Sequence, residues 1–157
     1  VATHGRSLYI VDDIGALERL TPEIMAQAAY LFPIAPAFGF EPLPGSAEWG
    51  GAGVFRGDNP QPGARFDVWV GEFTGEPLKL SVKTPGGTAA ATISSPALPG
   101  FNRLTWDLKP TKDVLNEYAS QGSKFVAPGE YEVTLTFGSI TQTQKVQVTI
   151  AKGIETR

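Results

Sequence analysis

The chain has no cysteine and a single histidine, His4. Without thiols it can build neither a disulfide framework nor a thiolate metal site, and it has no thiol nucleophile. A histidine base needs an acid to orient it and a nucleophile to activate. His4 lies in Thr3-His4-Gly5-Arg6-Ser7 with no nucleophile-elbow pattern nearby, and it reads as a strand-end residue. Calcium needs six to eight oxygens from clustered loop carboxylates and carbonyls, and no D-x-D-x-D-G loop occurs. Charge is also scarce, at 18% of residues and a net −3, below the roughly 25% of an average globular chain. No long basic run supplies the electrostatic footprint of a nucleic-acid binder. No apolar run approaches the roughly 20 residues of a membrane-spanning helix. The expectation is a chain with no metal, no cofactor, no nucleic-acid partner and no membrane span.

What the chain has in quantity is punctuation, with 18 glycines and 13 prolines among 157 residues. That favours many short strands joined by turns over long helices. From residue 64 to 150 the apolar residues recur with period two. Phe66, Val68 and Val70 form one such row, and Leu78, Leu80 and Val82 the next. Ala89, Ala91 and Ile93 follow a Pro85-Gly86-Gly87 turn, and then come Leu104, Trp106 and Leu108. Tyr131, Val133, Leu135 and Phe137 form the next row, and Val146, Val148 and Ile150 the last. One apolar and one polar face per strand means sheets wet on one side. Gly138-Ser139 reads as a two-residue hairpin loop of type II′. Residues 110–127 interrupt the pattern, as one helical turn over residues 113–118 or as a long loop between two sheets. This pattern predicts an all-β, immunoglobulin-like β-sandwich with an N-terminal extended segment.

The first part of the chain differs. Ser7-Leu8-Tyr9-Ile10-Val11 is apolar on both sides of a would-be strand and wants cover on both faces. Its first residues read as the middle of a strand, so the chain is expected to be a piece of a longer protein. Thr21-Pro22-Glu23 starts a helix, with an N-cap, a proline at the first helical position and an acid in the first turn. Ile24 to Tyr30 can then supply about two turns. Pro33, Pro36, Pro42 and Pro44 favour extended backbone after that. Residues 45–63 read as a glycine-rich mobile loop.

Two stretches resemble a known family. Val1-Ala2-Thr3-His4-Gly5-Arg6-Ser7-Leu8-Tyr9-Ile10-Val11-Asp12-Asp13 resembles the closing strand of bacterial BNR-repeat, sortilin-like β-propeller proteins, which are often labelled glycosyl hydrolases. Gly100-Phe101-Asn102-Arg103-Leu104-Thr105-Trp106-Asp107-Leu108 comes next, with Ala127-Pro128-Gly129-Glu130-Tyr131-Glu132-Val133 downstream. Together they resemble the G-x-N-x-x-x-W-D … P-G-x-Y pattern of that family's C-terminal domains, of fibronectin III or flagellar-hook-cap type. The resemblance implies a terminal propeller strand over 1–20, a Pro/Gly-rich connector with a short helix over 21–63, the sandwich over 64–151 and a tail over 152–157. It also implies an upstream β-propeller of the same protein as partner and an exported, periplasmic or extracellular, location. Deprived of propeller neighbours, residues 7–12 are expected to pair with a second copy, giving a homodimer through that strand, or to add to an open sheet edge.

The candidate binding residues are aromatic. Trp106 is in phase with Leu104 and Leu108 and belongs to the core. Trp69 lies on the polar face of its strand with Arg65 and Asp67. Trp49 lies in the glycine-rich loop with Phe55 and Arg56. Such aromatics can stack on sugar rings or dock on a partner; the plainer alternative covers Trp69 with the connector and docks the Trp49 loop on the propeller. The carboxylates Asp12, Asp13, Glu72, Glu76 and Asp107 read as solvated or strand-end groups, Asp107 as a hydrogen-bond partner at a turn. The favoured expectation is a non-catalytic accessory or interaction module, not an enzyme. The alternative is a carbohydrate-binding module of a glycoside hydrolase that holds a polysaccharide on Trp49 or Trp69. A catalytic glycosidase fragment would need two carboxylates flanking a cleft and is the least favoured.

Overall fold

A computed structural model describes residues 13–40, 62–72, 74–110 and 125–152. Two one-turn helices come first, α1 over Gly15–Glu18 and α2 over Pro22–Met25. Eight strands follow: β1 Ala29–Leu31, β2 Ala37–Gly39, β3 Ala64–Val70, β4 Leu78–Lys83, β5 Ala89–Ser95, β6 Gly100–Trp106, β7 Gly129–Phe137 and β8 Ile140–Ile150. They form a three-stranded sheet, β1-β3-β6, and a five-stranded sheet, β2-β8-β7-β4-β5. All pairings are antiparallel except β2 with β8, which run parallel. The chain is therefore all-β, as the period-two rows predict.

One core lies between the two sheets. Phe66, Val68, Val70, Leu104 and Trp106 of the smaller sheet join Leu78, Leu80, Val82, Tyr131, Val133, Leu135, Val146 and Val148 of the larger in a single buried cluster. The rings of Trp106 and Tyr131 meet edge-to-face at 5.6 Å across it. Burying a side chain of this size contributes about 1.5–3 kcal/mol, so the alternation alone specifies which face of each strand turns inward.

Several expectations are corrected. The helix does not run from Ile24 to Tyr30: α2 ends at Met25 after one turn, although Thr21 caps it as expected, its Oγ1 accepting from the Ile24 N–H at 3.4 Å. A short helix gains little on its own, and Ala29-Tyr30-Leu31 gains more by pairing with β3, Ala29 and Leu31 turning into the core. The sheets thus begin before residue 64. The segment between α2 and residue 40 supplies one edge strand to each sheet, β1 to the smaller and β2 to the larger. In β5 the expected inward row of Ala89, Ala91 and Ile93 is broken. A bulge opposite Val82/Lys83 adds a residue, so Ala90 and Ala91 are buried and Ala89 is exposed. The hairpin between β7 and β8 keeps the expected form, with Gly138 at φ 54° as its first loop residue. Residues 7–12 and 113–118 lie outside the described residues.

A glycine just before β3 bridges to β2. Gly63 has φ +128°, donates its N–H to the Phe38 carbonyl, and a Cβ there would overlap the Trp106 carbonyl oxygen. Gly63→Ala is expected to cost at least about 2 kcal/mol and to lower the thermal midpoint by roughly 4–8 °C. Circular-dichroism melting checks this, and an unchanged midpoint contradicts the close approach.

Candidate functional site

In the 100–108 and 127–131 stretches, Asn102, Trp106, Asp107 and Tyr131 bond to backbone groups of the fold. Asn102 is buried, and its Oδ1 accepts from the Leu98 N–H at 2.9 Å while its Nδ2 donates to the Leu98 and Gly100 carbonyls at 2.6 and 3.1 Å. It ties down the turn that leads into β6. The Trp106 indole N–H donates to the Lys109 carbonyl at 2.8 Å, and Asp107 Oδ1 accepts from the Lys109 N–H at 3.0 Å. Between them Leu108 adopts φ 62°, unusual for a branched side chain, and is fully buried. The Tyr131 hydroxyl donates to the Ala127 carbonyl at 2.7 Å. Burial pushes the Tyr131 phenol above its ordinary pKa, because the anion would lose hydration.

The outer face of the smaller sheet is different. Asp67 and Arg103 stand opposite each other in register, and the guanidinium donates to both carboxylate oxygens, at 2.7 and 3.0 Å. Arg103 also donates to the Asp13 carbonyl at 3.1 Å, and Arg65 approaches the Asp13 carboxylate at 3.8 Å. The hydrogen bond to Asp67, with the charges of Asp67 and Asp13, holds Arg103 more firmly protonated than usual. Beyond this cluster the same face is aromatic. Trp69 meets Phe101 edge-on at 5.5 Å, Phe101 stacks on Phe32 at 5.7 Å, and Phe32 meets Tyr30 at 5.1 Å. Residues 13–28 cross this face, anchored at one end by Arg103 on Asp13. At the other end the Trp69 indole N–H donates to Met25 O at 3.3 Å and the Gly71 N–H to Ala28 O at 3.0 Å. Ala16 of this strap is buried, whereas Ile14, Leu17, Met25 and Phe101 remain 38–54% exposed.

Of the expected binding residues, Trp69 sits in this aromatic layer with its polar edge occupied by Met25. Trp49, Phe55 and Arg56 lie outside the described residues, as do His4 and Asp12. Glu72 and Glu76 are exposed on the turn before β4. Among the described residues no three metal-ligating side chains converge, and no helix is long and apolar enough to cross a membrane. A groove of about 300 Å³ opens beside Tyr131, lined by Pro85, Ala90, Pro110, Val126 and Pro128. Among the described residues its one titratable lining group is the Tyr131 hydroxyl, already engaged by Ala127.

Phe101 and Met25 were not legible as surface residues of one patch. The signal was present in part: Phe101 is an outward residue of β6, and Trp69 is out of phase on β3. Only the register that sets Trp69 opposite Phe101 joins them. No protein-family model matches the chain, and neither a curated protein nor a solved structure matches it significantly.

The raised phenol pKa makes a pH prediction. A folded pKa above the unfolded value gives stability that is intact below the unfolded pKa, near 10, and lost as pH rises through the folded one. The melting midpoint should fall in that alkaline window, and Tyr131→Phe should lower stability at neutral pH by about 1 kcal/mol while flattening the alkaline loss. A Tyr131→Phe protein with the same alkaline slope as the parent contradicts the buried hydroxyl.

Proposed function

We propose that the chain is a non-catalytic, immunoglobulin-like accessory module of a larger exported β-propeller protein, docking on its neighbour through the strap across the smaller sheet. The observation that carries this reading is a division of labour. Asn102, Trp106, Asp107 and Tyr131 direct their polar atoms to backbone groups of the fold. Of the six exposed large apolar side chains among the described residues, Ile14, Leu17 and Met25 lie on the strap and Phe101 on the sheet beneath it, while Phe38 and Leu98 lie on β2 and on the turn before β6. Exposed apolar side chains gathered on one face mark interaction surfaces more often than reaction sites. The immunoglobulin-like part of the reading is supported by the strand order. The segment before β3 gives one edge strand to each sheet, the second running parallel to the last strand. A tyrosine opening β7 bonds back to the carbonyl four residues upstream, as in the tyrosine corner of immunoglobulin-like domains.

The test begins with the coding region that precedes Val1, where Asp-box propeller repeats are expected. The region so encoded, produced separately, should bind this chain in calorimetry. Leu17→Glu with Met25→Glu, both exposed on the strap, should weaken that binding at least tenfold, about 1.4 kcal/mol, with the thermal midpoint little changed. Tryptophan fluorescence should not respond to polysaccharides. Absence of propeller repeats, or equal binding by the double variant, overturns the reading; a saturable fluorescence shift lost in Trp69→Ala replaces it with polysaccharide binding.

A further inference from the structure

The ends of the two sheets are treated unequally. On β1, the Gln142 side chain of β8 takes the free edge, accepting from the Leu31 N–H at 2.7 Å and donating to the Ala29 carbonyl at 3.1 Å. On β2, Gly63 bridges to Phe38. The third edge, β6, carries Arg103 held by Asp67, and a charge on an edge strand discourages pairing with another chain. The fourth edge, β5, has none of these guards over Ala91–Ser95. Its backbone pairs only with β4 among the described residues. Its bulge bends only the start of the strand, at Ala90. Of the strands with six or more residues, β5 is the one without a charged side chain, and it contains no proline. The charge-free stretch runs from Thr84 to Asn102.

We propose that β5 is a self-association edge, on which a second copy of the chain pairs antiparallel to join two five-stranded sheets into one. A two-fold contact sets every residue against a residue of the same strand, so any charge on β5 would face its own kind or a fixed neighbour. A two-fold axis at Ile93 sets Ile93 against its copy on the core side, where Ile93 is already partly packed. Ala91 then faces Ser95 on that side. On the outer side Thr92 faces Ser94 twice, both exposed in the single chain, and such hydroxyl pairs are favourable across strands. This inference is independent of the propeller reading and uses none of the strap residues.

Sedimentation equilibrium on the 157-residue chain tests it, with thermal melting as the control for folding. The parent should show a monomer–dimer equilibrium. Thr92→Lys with Ser94→Lys sets lysine against lysine at both outer pairs and should weaken the dimer by roughly tenfold. Thr92→Lys with Ser94→Glu sets opposite charges against each other and should restore it. A parent that is monomeric at every accessible concentration overturns the inference, as does a dimer indifferent to the first variant, or a second variant as weak as the first.

Discussion

The bend that follows β6 is the constraint on which the two sheets depend. Leu108 adopts a left-handed backbone, at a cost of about 1–3 kcal/mol for a residue with a branched side chain. Two hydrogen bonds to the same residue, from the Trp106 indole to the Lys109 carbonyl and from the Lys109 N–H to Asp107, hold the bend. At about 1 kcal/mol each, and with the burial of Leu108 adding about 1.5–3 kcal/mol, they offset the strain. The bend lets Leu108 reach the core under β2, where it lies near Gly39. Its carbonyl accepts the Val126 N–H at 2.8 Å, which brings the run-in to β7 alongside. The ring of Trp106 then meets Tyr131, whose hydroxyl fixes Ala127. One corner therefore binds β2, β6 and β7 together.

Outside that corner the molecule has a second, thinner apolar layer. Tyr30, Phe32, Trp69 and Phe101 cover the outer face of the smaller sheet, and residues 13–28 lie over them. Arg103, held by Asp67, fastens this strap at Asp13, but an exposed pair contributes at most about 1 kcal/mol. The main core holds the sandwich, whereas the strap is held by few contacts and leaves apolar side chains in solvent. Weakly held elements of this kind are the ones available for partner contacts.

Much of the fold could be read before the structure. Rows such as Phe66-Val68-Val70 and Tyr131-Val133-Leu135-Phe137 point inward because period two and burial dictate the same choice. The Gly138 hairpin follows from turn chemistry. What could not be read depended on tertiary contact. Ala29-Tyr30-Leu31 continues an acceptable helical stretch, and only the presence of β3 makes it a strand. The bulge at Ala90 leaves no mark in a run of three alanines. Of the candidate site, Trp69 could be singled out by its phase, but its neighbours Phe101, Phe32 and Met25 come from three other segments, and register joins them. Asp107 was legible as a turn partner; the left-handed Leu108 beside it was not, since nothing in a leucine announces that conformation.

The most direct measurement of the central claim, that Trp106 and Asp107 together lock the bend, is a double-mutant cycle. Trp106→Phe removes the indole donor and keeps a ring against Tyr131, and Asp107→Ala removes the other hold on Lys109. If both act on one bend, denaturant unfolding should show each variant destabilised and the pair coupled by about 0.5–3 kcal/mol. Strictly additive effects, or an Asp107→Ala protein as stable as the parent, would contradict the lock.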